Sequence, residues 1–135
     1  MQEFSLDQPT NPSQLVGLLE KANVPKVQFE KDMVIFREGS KGDQAFFIAA
    51  GGVKILKKSD SGADKLLDIL KSGVIFGEMA LLFSEPRSAT VTAQEETEVF
   101  CLASEDFRRI VSLSPDMTER LRALAENRRR ELAQS

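Results

Sequence analysis

Phe76-Gly77-Glu78-Met79-Ala80-Leu81-Leu82-Phe83-Ser84-Glu85-Pro86-Arg87-Ser88-Ala89-Thr90-Val91 is the stretch that decides how the chain is read. It sets one carboxylate, Glu78, and one guanidinium, Arg87, on either side of a short apolar turn that opens on Gly77. A hydroxyl can donate to the carboxylate, and a phosphate can accept a fork of hydrogen bonds from the guanidinium. A ligand carrying both groups, such as a ribose closed onto a phosphate, fits between them. A helical turn over residues 79–82 would aim its first amides at the space beside Glu78, and Gly77 would let the backbone come close to the ligand. From residue type alone, Glu78 could equally cap that turn, and Arg87 could pair with Glu78 or Glu85.

The two halves of this stretch resemble the phosphate-binding cassette of the cyclic-nucleotide-binding domain family, F-G-E-x-A-L followed after a short loop by P-R-x-A-T-V. They stand here as Phe76-Gly77-Glu78-Met79-Ala80-Leu81 and Pro86-Arg87-Ser88-Ala89-Thr90-Val91, with the family's usual spacing. The resemblance implies that Arg87 neutralises a cyclic phosphate and that Glu78 takes the ribose 2′-hydroxyl. Gly77, Met79, Ala80, Ser88 and Ala89 complete the implied ligand-binding set at this end. Ser88 sits where a hydroxyl can also reach the amino group of a syn guanine, so cAMP and cGMP both stay open as ligands, with cAMP expected to be favoured.

Working outward, the flanking segments read as a β-roll. Between residues 26 and 102 the chain breaks into short β-type runs at 26–29, 34–37, 45–49, 53–58, 65–70, 74–76, 89–93 and 98–102, separated by Gly, Asp and Ser. Eight short strands at this spacing predict an eight-stranded, jelly-roll-like β-roll, mainly β with flanking helices. The turns Phe36-Arg37-Glu38-Gly39-Ser40-Lys41-Gly42-Asp43 and Ala50-Gly51-Gly52-Val53-Lys54 are similar to the family's early turns.

Residues 1–14 are polar, carry Pro9 and Pro12, and read as a flexible lead-in. The domain itself is expected over 15–135. An N-terminal helix face at Leu15, Val16, Leu18 and Leu19 ends near Asn23 and Pro25. Beyond the roll, Ser104 can cap a hinge helix running through Val111, and Ser114-Pro115-Asp116 starts a last helix that runs to about Leu132. Along that last helix Met117, Leu121, Leu124, Arg128 and Leu132 share one face. In the family such a helix resembles a lid over the base, which makes Arg128 a candidate to stack on the purine and Leu124 its apolar alternative.

Composition narrows the remaining possibilities. At 135 residues the chain can bury about two thirds of its unfolded surface without a disulfide or metal. The single cysteine, Cys101, lies in the run Val99-Phe100-Cys101-Leu102 and reads as a core thiol in a reducing, cytoplasmic setting. Histidine is absent, which removes the usual metal ligand and the usual base near neutral pH. That argues against a cupin-type enzyme, and no catalytic residue, metal site or cofactor is expected. No apolar run approaches a membrane span. With 18 basic and 21 acidic residues interspersed, the net charge of −3 gives no electrostatic case for nucleic acid. The run Arg128-Arg129-Arg130, flanked by Glu126 and Glu131, reads as a solvated helix end.

The function these observations imply is a non-enzymatic regulatory module that binds a cyclic nucleotide and moves its C-terminal helices. An effector domain or protein partner would be reached through those helices. The alternative is a degenerate roll that binds a protein and no nucleotide; such a roll would be expected to lack Glu78 or Arg87, and both are present.

Overall fold

The computed structural model describes residues 12–112 together with 119, 122, 123, 126, 127 and 130. Eight strands follow one helix: α1 (Pro12–Lys21), β1 (Lys26–Phe29), β2 (Val34–Phe36), β3 (Gln44–Ala50), β4 (Gly52–Lys58), β5 (Asp64–Lys71), β6 (Ile75–Phe76), β7 (Thr90–Ala93) and β8 (Thr97–Ala103). Two further helices, α2 (Glu78–Phe83) and α3 (Ser104–Ser112), interrupt and follow the strands. The strands form two four-stranded sheets, ordered β1-β8-β3-β6 and β2-β7-β4-β5. All pairings are antiparallel. The expected jelly-roll arrangement is therefore the one found.

The strand alternation explains where the core sits. Successive residues of a strand face opposite sides. In β3, Phe46 and Ile48 turn into the space between the sheets, while Ala45 and Phe47 face the helices. The first set meets Val53 and Ile55 of β4 and Val91 of β7 to form the inner core. The second set meets Leu15 and Leu19 of α1 and Phe107 and Ile110 of α3. Leu15/Leu19 and Phe107/Ile110 are four and three residues apart, the spacing that brings side chains to one helix face. Cys101 is buried in the inner core, and burial pushes its thiol pKa up, as expected of an inert thiol.

Several boundaries shift from the sequence reading for local reasons. Helix α1 begins at Pro12, inside the stretch read as a lead-in, because proline lacks only an N–H that the first turn leaves unpaired anyway. Helix α2 takes in Glu78 and Phe83 as well as residues 79–82. At α3 the cap comes from Asp106, whose Oδ2 accepts from the Ala103 amide at 3.1 Å, while Ser104 is the first helical residue. Residues 119, 122, 123, 126, 127 and 130 are helical and exposed, and Arg122 pairs with Glu119 at 2.9 Å. The rest of the expected last helix, including Leu124 and Arg128, lies outside the described residues, as do residues 1–11 of the lead-in.

Candidate functional site

The strand β6 delivers Phe76 into the roll, and the chain then turns through Gly77 into α2. Gly77 has φ 79°, a left-handed conformation that costs other residues free energy, and a side chain there would crowd Arg87 Nη1 at 2.9 Å and Phe36 at 3.3 Å. This turn drives the next side chain inward. Glu78 is 1% exposed, and neither of its carboxyl oxygens has a hydrogen-bond partner. Burial pushes its pKa up from 4.5 to about 8; its own amide and Arg87 pull the other way only in part. At neutral pH the group is mostly protonated, because an isolated carboxylate out of water is expensive.

Arg87 is 6% exposed and does not hydrogen-bond to Glu78. Its Nη1 donates to the Gly77 carbonyl and its Nη2 to the Gln44 carbonyl, each at 2.9 Å, while Nε is buried without a partner. The guanidinium carbon lies 4.1 Å from the centre of the Phe36 ring and 5.6 Å from that of Phe46. An aromatic face attracts a desolvated cation. Burial lowers the Arg87 pKa, and Asp43 and then Glu78 counter it. Guanidinium remains charged regardless.

The turn between β2 and β3 fixes this arginine from behind. The Gly39 amide donates to the Arg87 carbonyl and the Arg87 amide to the Ser40 carbonyl, both at 2.8 Å. Gly42 lies directly against the guanidinium, so that a Cβ there would fall on Nε and Cζ. The two glycines of this turn therefore both serve the arginine.

Gly77, Glu78, Met79, Ala80, Arg87, Ser88 and Ala89 all line one cleft between the sheets. Its apolar floor is Phe36, Ile55, Phe76 and Val91. These four were missed as site residues, although the inward alternation in β4 and β7 carries the signal for Ile55 and Val91. Phe36, Phe46 and Phe76 form a ring cluster with centroids 5.3–6.1 Å apart. Leu124 and Arg128, expected at the base end, are outside the described residues. Among the described residues there is no group of acidic or sulfur ligands suited to a metal.

A roll that buries a carboxyl and a guanidinium in one cleft, on a Gly-Glu turn followed by a Pro-Arg strand entry, defines a cyclic nucleotide-binding domain. Residues 26–114 match the profile of that family, and the chain belongs to it. It is 42% identical over 96 residues to a cyclic nucleotide-gated potassium channel of Rhizobium etli, covering 71% of this chain and 25% of the channel. With the cyclic AMP receptor protein of Thermus thermophilus it shares 35% identity over 97 residues, 72% of this chain and 45% of the receptor. The chain thus spans less than half the length of these relatives. Among solved structures, the cAMP-bound form of an EAL enzyme superposes with a TM-score of 0.64 at 34% identity, over 82% of this chain and 30% of that one. The same enzyme in its cGMP-bound form gives a TM-score of 0.66. The two relatives are, by name, a channel gated by cyclic nucleotides and a receptor for cyclic AMP, and the cAMP-bound form of the enzyme is matched over 30% of its chain. Among the described residues, no helix is long and apolar enough to cross a membrane.

Proposed function

We propose that this domain is a sensor that binds cAMP in preference to cGMP and passes occupancy to its C-terminal helices, without catalysis of its own. The observation that carries the reading is the pair of buried polar groups, Glu78 and Arg87, in one cleft. Both carboxyl oxygens of Glu78 and the Nε of Arg87 lack partners. Unpaired buried polar atoms cost free energy, and a ligand that satisfies them recovers it on binding. A cyclic phosphate offers acceptors to Arg87, and a ribose 2′-hydroxyl offers a donor to Glu78. Gly77, Met79, Ala80, Ser88 and Ala89 surround these two groups. Leu124 or Arg128 closes the base end.

Coupling to the helices has a physical basis in α2. Its Glu78 and Ala80 are buried beside the cleft, whereas Leu81 and Leu82 pack against the core that contains α1 and α3. A ligand that prefers one seating of α2 shifts the helices only by its difference in affinity for the two seatings.

Titration calorimetry with cAMP and with cGMP tests the reading. The expected result is binding of both, tighter for cAMP, and strongly reduced in Arg87→Ala. Absence of heat with either nucleotide at millimolar concentration would instead favour a protein-only module.

A further inference from the structure

The ladder between β4 and β7 ends at the pair Leu56–Thr90. Beyond it β4 continues alone with β5, where Lys57 pairs with Lys65. The cassette residues just before β7, Ser88 and Ala89, thus have no strand partner on the β4 side. A side chain takes over that role. Lys57 Nζ donates to the Ser88 carbonyl at 2.9 Å, spanning the position the next rung would occupy.

Lys57 is itself held. Glu38 Oε2 lies 3.4 Å from its Nζ, and Glu38 Oε1 accepts from the Lys58 amide at 3.0 Å. The Glu38 amide in turn donates to Thr90 Oγ1 at 2.9 Å, on the far side of the same segment. The contacts form a closed frame running from Glu38 through Lys57 and Ser88 to Thr90 and back. The Ser88–Ala89 peptide is planar, so fixing its carbonyl also fixes the direction of the Ala89 amide. Ala89 lines the cleft, as do Ser88 and Arg87 before it.

We propose that Lys57, braced by Glu38, is a positioning residue for cyclic-nucleotide binding, acting through the Ser88 carbonyl to set the phosphate side of the cassette. The inference rests on the reading of the cleft given above. Lys57 is half-exposed, so its link to Glu38 contributes little to folding. Its contribution lies in the orientation of residues 87–89.

The test is calorimetric titration of the full 135-residue chain with cAMP, for wild type, Lys57→Met, Lys57→Arg, Arg87→Ala and the double variant Lys57→Met/Arg87→Ala. Lys57→Met is expected to bind about fivefold more weakly, the size of one ordinary net hydrogen bond, since the half-exposed ammonium acts on the ligand only through the Ser88 carbonyl, with Tm within about 2 °C of wild type. Lys57→Arg should restore binding. In the Arg87→Ala background the Lys57→Met loss should disappear, because the phosphate contact it serves is already gone. Unchanged affinity in Lys57→Met, or an undiminished loss in the double variant, overturns the inference and leaves the ligand reading intact. Lack of cAMP binding by wild type overturns both. If Lys57→Met does not fold, Lys57→Gln replaces it with the same expectations.

Discussion

Arg87 Nη1 donates to the carbonyl of Gly77, 2.9 Å away, so the cation at one end of the cassette is tied to the peptide immediately before the carboxyl at the other. This bond, with its counterpart to Gln44, keeps the guanidinium engaged by two main-chain carbonyls. A phosphate offers it an anionic, two-pronged acceptor, which adds ion–ion attraction and bidentate geometry to the hydrogen bonding.

Removing that cation should therefore cost the ligand more than it costs the fold. Arg87→Ala is expected to weaken cAMP binding by about 3 kcal/mol, roughly a hundredfold. Arg87→Lys should recover only part of this, since an ammonium cannot reproduce the fork. Calorimetric dissociation constants for the three proteins decide it; binding by Arg87→Ala at wild-type strength would remove the phosphate assignment.

Gly42 offers a way to disturb the arginine without replacing it. Its neighbour is a flexible side chain, but one held by two carbonyls and the Phe36 ring, so a methyl group must displace the guanidinium from these contacts. Gly42→Ala is expected to destabilise the domain by about 1–3 kcal/mol, the range for overpacking, and to weaken cAMP at least tenfold. Urea unfolding and calorimetry on the same preparation check the two effects separately.

How much of this was open to the sequence depends on which interactions alternation can report. The eight strands follow from short apolar runs and turn residues, and Glu78 and Arg87 follow from the cassette; β3, apolar on both faces from Ala45 to Ala50, has no alternation to say which face turns inward. The partners of Arg87 do not, because they are main-chain carbonyls of Gly77 and Gln44, and any residue supplies a carbonyl. For the same reason Gly42 and Lys57 carried no signal: one acts by having no side chain beside Arg87, the other by bonding a backbone oxygen. Helix α2 outran the expected turn because Glu78 itself adopts helical geometry once Gly77 supplies the left-handed entry.

The buried carboxyl makes stability depend on pH in a defined direction. Glu78 ionises near 4.5 in the unfolded chain, and burial pushes this to about 8 in the folded domain. Between these values the folded state holds a proton that the unfolded state has lost. The associated stability is fully present below 4.5 and disappears as pH rises through about 8. Between these values this group should lower stability by about 1.4 kcal/mol per pH unit. Urea unfolding of wild type and Glu78→Gln at several pH values from 5 to 8.5 measures it; equal slopes for the two proteins would refute the assignment. On the proposed reading, in which Glu78 meets the 2′-hydroxyl as a carboxylate, binding releases that proton. Affinity for cAMP should then rise with pH across the same interval.

A fourth expectation concerns the fold alone. Thr97 is 1% exposed, and its hydroxyl accepts from the Gly52 amide at 3.2 Å and lies 2.8 Å from the carbonyls of Gly52 and Glu95. Thr97→Val keeps the volume but strands the Gly52 amide. It should cost about 1–3 kcal/mol of stability while leaving nucleotide affinity within about twofold of wild type. Chemical unfolding and calorimetry, run in parallel, separate the two quantities.

Strand β3 gives the molecule a party wall. Phe46 belongs to the ring cluster beside Arg87, and Phe47, its immediate neighbour in sequence, is packed among the residues that seat α1 and α3. The partition between the cleft and the helices is thus one peptide thick. Redesign of either chamber cannot be done in isolation: a residue chosen to reshape the cleft at position 46 drags the backbone that supports position 47. Any attempt to alter ligand preference through the aromatic cluster is therefore also an alteration of how the helices are mounted.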